Sequence, residues 1–136
     1  MKENLLIDKS IAFASRIIKL HQYLIKTKKE TIISKQIVRS GTSIGANINE
    51  ANYGQSKADF VSKLHIALKE TAETEYWLKL LTMSEYITEE MGKSFLNDCL
   101  EINRLHQHGK INKFVSSFLG FRFHKITEMC YNVCKT

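Results

Sequence analysis

Apolar residues recur at alternating spacings of three and four through most of the first 105 residues, and this periodicity limits the fold more than any other feature. Side chains spaced in this way share one face of an α-helix, which a soluble protein buries against other helices. The pattern breaks after Ile25, near Gly54 and before Thr88, which predicts four helices. The periodic positions are Ile7, Ile11, Ala14, Ile18, His21 and Ile25; Ile33, Ile37, Ser40 or Gly41, Ile44, Ile48 and Ala51; Phe60, Leu64, Ala67, Thr71, Thr74, Leu78 and Leu81; and Met91, Phe95, Cys99 or Asp98, Ile102 and Leu105.

The residues between these segments are typical of helix ends. Gly54 is predicted to end the second helix in the left-handed conformation, Ser56 and Asp59 resemble a capping box, and Thr88 resembles an N-cap. The chain has 136 residues and no proline, which fits one domain of long helices joined by short turns. We therefore predict an all-α, up-down antiparallel four-helix bundle over residues 1–105, followed by an atypical tail, residues 106–136.

Two glycines, Gly41 and Gly45, lie inside the second predicted helix. Each costs up to about 1 kcal/mol relative to alanine there, so we expect them to permit close contact with a neighbouring helix. Asn47 and Glu50 lie beside the apolar row, and we expect a polar network there that fixes helix register; a functional site is the alternative. The structural signature of this helix comprises Ser40, Gly41, Ser43, Ile44, Gly45, Asn47, Ile48 and Glu50.

The third predicted helix also has apolar residues outside its periodic row, so more than one of its faces is apolar. A helix that packs only within its own bundle needs a single apolar stripe. We therefore predict that the second face contacts another subunit, with Trp77 as its anchor. The additional residues are Ile66, Leu68, Tyr76, Trp77 and Leu80.

Charge is segregated along the chain, whose formal net charge is +6. Residues 1–47 contain nine Lys and Arg against three Asp and Glu, whereas residues 48–103 contain five against ten. Such opposite fields favour either head-to-tail contact between subunits or attraction to phosphate. The candidate nucleic-acid surface comprises Lys26, Lys28, Lys29, Lys35 and Arg39, and the alternative is a solvated basic rim.

The sequence contains no arrangement typical of an enzyme. None of the five histidines has a Glu three residues earlier, which a carboxylate-bridged metal pair in a bundle would need, and no nucleophile elbow or phosphate loop is present. A zinc site formed by His106, His108, Cys130 and Cys134 is a weaker alternative to their being ordinary bundle residues. We expect a non-enzymatic protein with no cofactor, no metal and no small-molecule substrate.

The chain is also expected to lie in the cytoplasm. It has no apolar run long enough to cross a membrane, acidic residues occur near its start, and its three cysteines are best explained as free thiols. The second helix, the Gly54 turn and the third helix could be taken for a helix-turn-helix. The third helix is too long for a recognition helix, so we keep this only as an alternative.

Three segments carry a resemblance to a known family: ISKQIVRSGTSIGANINEA at 33–51, SKADF at 56–60 and IALKETAETEYWL at 66–78. Over residues 5–105 the chain resembles the four-helix bundle family also called S23 or 23S rRNA intervening-sequence proteins. The residues that match the family's signature are Ser40, Ser43, Ile44, Asn47, Ile48 and Glu50 in the second helix and Phe60, Ala67, Glu75 and Leu78 in the third.

The resemblance implies an antiparallel bundle that forms a ring-shaped homopentamer, often with a basic surface, and it implies no catalytic residues. A similar protein, the accessory protein of diversity-generating retroelements, binds nucleic acid and a reverse transcriptase. We therefore expect an oligomeric bundle that presents a basic surface to RNA, DNA or a nucleoprotein partner. The alternative is a protein-binding scaffold with no nucleic-acid role, whose charged faces are used in self-assembly.

The tail, residues 106–136, departs from the family, whose fourth helix usually continues further. It is basic and rich in phenylalanine, with four of the seven phenylalanines between Phe114 and Phe123. We expect either a short helix near Ile126 to Val133 or poor order. One hypothesis is a reading-frame change near residue 105, and resequencing of the gene would refute it if no other frame restores the helical pattern.

Overall fold

Four α-helices make up the part of the chain that the computed structural model describes, residues 2–108. They are α1 (Lys2–Lys26), α2 (Ile33–Ala51), α3 (Lys57–Met83) and α4 (Glu89–His108). Each helix packs beside the next, and α4 returns to α1, where Lys9 pairs with Glu101 (3.1 Å) and Arg16 binds Ser94 (2.8 Å). Since α1 and α4 therefore run in opposite directions, the predicted up-down antiparallel bundle is confirmed.

The core lies between the four helices and follows the predicted rows in α2, α3 and α4. Its members include Ile37, Ile44 and Ile48 of α2, Leu78 of α3 and Phe95 of α4, all of them buried. Periodicity was sufficient to predict these buried rows because each of the three helices has one row of large apolar residues at alternating spacings of three and four. None of the described helices combines the length and hydropathy needed to cross a membrane.

The predicted buried row of α1 was wrong. Ile11 is 61% exposed and Ile18 is 43% exposed. The buried row lies about one position away along the helix, and it comprises Ser10, Phe13, Ile17, Leu20 and Leu24. Helix α1 carries two rows of equal spacing, and the inner row is the one whose Ser10 and Ile17 meet the glycines of α2.

The helix ends agree with the predicted caps at two of three positions. The Ser56 hydroxyl accepts a hydrogen bond from the Asp59 amide, and the Thr88 hydroxyl accepts one from the Met91 amide, both at 3.1 Å. The prediction for Gly54 was wrong, because no glycine among the described residues has a positive φ. Gly54 is favoured instead by crowding, since a Cβ there would lie 3.1 Å from the Phe60 nitrogen.

Helix α4 continues to His108, three residues beyond the predicted end of the bundle. His106 is buried and extends the inner row of Phe95, Cys99 and Ile102 with the same alternation of four and three residues. A polar residue type at this position hid that continuity in the sequence. The predictions for residues 109–136, including the short helix and the two tail cysteines, lie outside the described residues.

Candidate nucleic-acid interface

The turn between α1 and α2 brings four of the predicted basic residues to one end of the bundle. Lys26 ends α1, Lys28 and Lys29 lie in the turn, and Lys35 lies in the first turn of α2. All four side chains are exposed. Within residues 2–108 the ion pairs use other cations, so these four charges, called here the lysine end, face solvent.

Glu30 is the only acidic residue in this turn, and it points into the protein. Its carboxylate accepts hydrogen bonds from the amides of Ile32 (2.9 Å), Ile33 (2.9 Å) and Ser34 (2.7 Å). Glu30 thus caps the N-terminus of α2, where the unpaired amides and the helix dipole favour a negative charge. Because its carboxylate is buried against these amides, Glu30 does not pair with the lysines around it.

The backbone of the turn is held in place by hydrogen bonds on both sides of Lys28. The Thr27 amide donates to the Tyr23 carbonyl (2.9 Å), and the Glu30 amide donates to the Leu24 carbonyl (3.0 Å). Lys29 takes the left-handed conformation with φ of 56°. An exposed lysine tolerates this conformation at a modest energetic cost. The left-handed backbone at Lys29 directs the chain so that Glu30 can turn inward.

Arg39 lies one helical turn beyond Lys35 in α2 and contacts α3. Its guanidinium donates to the Glu73 carboxylate and lies 3.6 Å from a Glu70 oxygen. The hydrogen bond to Glu73 raises the pKa of Arg39, and the same bond holds the pKa of Glu73 below its ordinary value. The charge of Arg39 is therefore already balanced within the bundle, unlike the charges of the lysine end.

The turn between α3 and α4 lies at the same end of the bundle and has the opposite charge. Glu85, Glu89 and Glu90 are exposed there. In an up-down bundle the α1–α2 and α3–α4 turns are neighbours, so this end is basic on one side and acidic on the other.

Five of the signature residues of α2 lie in its contacts with the neighbouring helices α1 and α3. A Cβ at Gly41 would lie 2.9 Å from Ile17 Cγ2, and one at Gly45 would lie 3.0 Å from the Ser10 hydroxyl, so both glycines meet α1. Towards α3, the Thr74 hydroxyl donates to Ser40 (2.9 Å), a buried hydrogen bond between the two helices. Ile44 and Ile48 are buried between them.

Three other signature residues lie on the outer side of α2. Ser43 donates to the Arg39 carbonyl (2.7 Å), and Asn47 donates to the Ser43 carbonyl (2.8 Å), so these hydrogen bonds stay within the helix. Exposed Glu50 pairs with Lys63 of α3 (2.7 Å). The register of α2 on α3 is therefore fixed by Ser40 with Thr74 and by the ion pairs, more than by Asn47.

Two groups with reactive side chains are buried and lack the surroundings of a catalytic site. Burial raises the pKa of the Cys99 thiol far above its ordinary value, which disfavours the nucleophilic thiolate. Burial lowers the pKa of His106 to about 4. Among residues 2–108 no three His, Cys, Asp or Glu side chains are grouped closely enough to hold a metal ion.

Sequence reasoning found the lysine end but missed what keeps its charge unbalanced. Glu30 precedes α2 by three residues, and its carboxylate reaches forward to amides two, three and four positions ahead. The usual capping box instead has Ser or Thr at the cap and Glu within the helix. The usable signal was a lone acidic residue between a lysine pair and a helix start.

The fold and sequence agree with one protein family and with a solved structure. The profile of the family described as 23S rRNA-intervening sequence protein matches residues 2–108. A protein of unknown function from the S23 ribosomal protein family of Bacteroides thetaiotaomicron VPI-5482 is 58% identical, with 79% of this chain and 96% of that chain covered and a TM-score of 0.77. A search of curated proteins gives no match.

Proposed function

This chain belongs to the 23S rRNA-intervening sequence protein family, and we propose that it is a non-enzymatic, self-associating bundle whose lysine end binds the phosphates of RNA or DNA, alone or within a nucleoprotein. The ring of five subunits that the resemblance implies is part of this proposal. Repetition of the lysine end around a ring would multiply weak phosphate contacts into useful avidity.

The observation that carries the proposal is the unbalanced charge of the lysine end. Lys26, Lys28, Lys29 and Lys35 are exposed, and the carboxylate within their own turn, Glu30, is committed to the α2 amides. Flexible lysines without partners suit the phosphate backbone, which is contacted by charge and without regard to base sequence. No shaped pocket for a base or small molecule is required for this function.

The first prediction concerns salt dependence. Each phosphate neutralised contributes about −0.9 to the slope of log affinity against log salt, so three or four lysines per subunit predict a slope near −3. We expect the triple variant Lys26→Gln, Lys28→Gln, Lys29→Gln to lose most of this slope. The measurement is fluorescence anisotropy with structured RNA and with duplex DNA at several salt concentrations.

A matched control is Lys19→Gln, Lys57→Gln, Lys69→Gln, which removes three exposed lysines of α1 and α3 that lie outside this end of the bundle. This control should retain the slope of the wild-type protein. Equal losses in the two variants would show that net charge alone drives binding. If the wild-type protein binds neither nucleic acid at low salt, the nucleic-acid proposal is refuted.

A second candidate function is a protein scaffold, favoured by the division of one bundle end into basic and acidic sides. The lysine end of one subunit could contact Glu85, Glu89 and Glu90 of another. In that case the triple lysine variant would change the mass of the assembly in light scattering. An unchanged mass together with lost RNA binding would support the first function over the second.

A further inference from the structure

The unburied apolar row of α1 is a surface that the proposed function leaves unused. This row, called here the α1 strip, comprises Ile7, Ile11, Ala14, Ile18 and Ile25. Ile11 is 61% exposed and Ile18 is 43% exposed, and none of the five positions is charged. Contiguous exposed apolar residues at helical spacing indicate a contact surface, since isolated ones are common and need no explanation.

The α1 strip lies along the side of α1 that borders α2. His21, which occupies the same row, donates from Nδ1 to the Ser34 carbonyl of α2 (3.0 Å). The charged residues Lys9 and Arg16 instead face α4, where they form ion pairs. An uncharged row with alternating spacings of four and three residues is suited to packing against a helix that crosses it at a shallow angle. It is unsuited to nucleic acid, whose phosphates are contacted by charged and polar groups.

A second apolar surface lies on α3, on the other side of α2. Here Tyr76 is 58% exposed, Ile66 is at the limit of exposure, and Trp77 and Leu80 are half-buried. The rings of Tyr76 and Trp77 meet edge to face at 4.9 Å. These four residues, called here the α3 aromatic face, include the residue types that most often anchor protein contacts.

Two polar groups beside the α3 aromatic face, the Trp77 indole and the Glu73 carboxylate, are already paired. The Trp77 Nε1 donates to Glu73 (3.1 Å), and Glu73 also accepts from Arg39 of α2. A partner covering this face would not have to satisfy a free indole N–H or an isolated carboxylate. Burial of this face against an apolar surface would therefore leave Trp77 and Glu73 with their partners, and the exposed Lys69, one turn from Ile66, can extend its charge to the rim of the contact.

We infer that the α1 strip of one copy of this chain packs against the α3 aromatic face of a second copy, in a head-to-tail contact. This rests on the self-association in the proposed function and names its surfaces. The strip is about 27 Å long from Ile7 to Ile25. If its width is about 10 Å, the spacing of two packed helices, its projected area is about 270 Å². That is about a third of the roughly 800 Å² that each partner buries in a standard interface, so the strip would form the apolar centre of the contact and the side chains around it would supply the rest.

The positions of the two surfaces favour a closed ring. Both adjoin α2, so they lie on neighbouring sides of the bundle, and neighbouring sides of a four-helix bundle meet near a right angle. A ring of four requires the two contact surfaces of a subunit to point about 90° apart, and a ring of five about 108°. Surfaces on opposite sides would instead generate an open filament.

The test uses one variant on each surface and a matched control. Ile18→Lys places a charge on the α1 strip, and Tyr76→Glu places one on the α3 aromatic face. Leu100→Lys is the control, because Leu100 of α4 is 41% exposed, close to Ile18, but lies on neither surface. Light scattering should give a monomer for each of the first two variants and the wild-type mass for the control, with helix content by circular dichroism unchanged in all three.

Mixing the two variants separates head-to-tail contact from the alternatives. Ile18→Lys keeps an intact aromatic face and Tyr76→Glu keeps an intact strip, so an equimolar mixture should form a one-to-one dimer and stop there. If strips pack against strips, Tyr76→Glu alone would stay assembled, which would overturn the inference. A monomeric wild-type protein would overturn it too, whereas the salt titration of the lysine variants would still test nucleic-acid binding.

Discussion

His106 is a titratable residue enclosed by the bundle, and its surroundings make stability depend on pH. Its side chain is buried near Leu64 and the exposed His65. Burial is the largest cause that lowers its pKa, to about 4, whereas a hydrogen bond with Leu64 opposes the shift. The neutral imidazole is therefore the form that the folded protein accommodates.

We predict that the free energy of unfolding falls as pH is lowered from 7.5 to 5. In the unfolded chain His106 has its ordinary pKa near 6.5 and takes up a proton within this window, whereas folded His106 stays neutral until the pH approaches 4. Protonation thus favours the unfolded state, by about 2 kcal/mol at pH 5. Urea unfolding at both pH values measures the effect.

His106→Leu should remove most of this pH dependence, because the variant has no group to protonate at the site. His65→Gln on the exposed surface of α3 is the matched control and should keep it. If His106→Leu retains the full dependence, the pH effect arises from other groups and our account of the buried imidazole is wrong.

At the scale of the helices, most ends and rows were predictable because their signals are local. The Ser56 and Thr88 caps follow from residue type and spacing, and the rows of α2 and α3 follow from periodicity. Gly54 was mispredicted because glycine serves crowded positions as well as left-handed ones. The start of α2 was not predictable in detail, since its cap comes from Glu30 outside the usual pattern.

Glu30→Ala should show how much that cap contributes to the free energy of unfolding. The variant leaves three amides at the start of α2 without their acceptor, so we expect a loss of about 1 to 2 kcal/mol and faster hydrogen exchange at Ile32, Ile33 and Ser34. Glu85→Ala, in the other turn at the same end, is the control and should leave these amides protected. Unchanged exchange in Glu30→Ala would show that the first turn is held by packing alone.

At the scale of the whole molecule, the sequence predicted the fold and the separation of charge but could not assign faces. Two apolar rows on α1 have equal spacing, and only packing against Gly41 and Gly45 decides which row is inside. Likewise, Arg39 belongs to the same basic segment as the lysines, and only the position of α3 pairs it with Glu73. Local patterns define elements, whereas the outward surfaces depend on how the elements dock.

The divided charge of the bundle end leads to a prediction for the whole molecule. If nucleic acid binds at the lysine end, Glu85, Glu89 and Glu90 lie close enough to repel it at low salt. The triple variant Glu85→Gln, Glu89→Gln, Glu90→Gln should therefore bind RNA about two- to fivefold more tightly at low salt, and the gain should vanish near 1 M salt because the charges are screened.

The matched control removes three negative charges from the opposite end of the bundle, through Asp8→Asn, Glu50→Gln and Glu101→Gln. Both triple variants change the net charge of the chain by the same amount, so a difference in RNA affinity between them reports position alone. Tighter binding only in the Glu85, Glu89 and Glu90 variant would place the nucleic acid at the lysine end. Equal gains would mean that RNA responds to the overall field of the protein, and the lysine end would then have no special role.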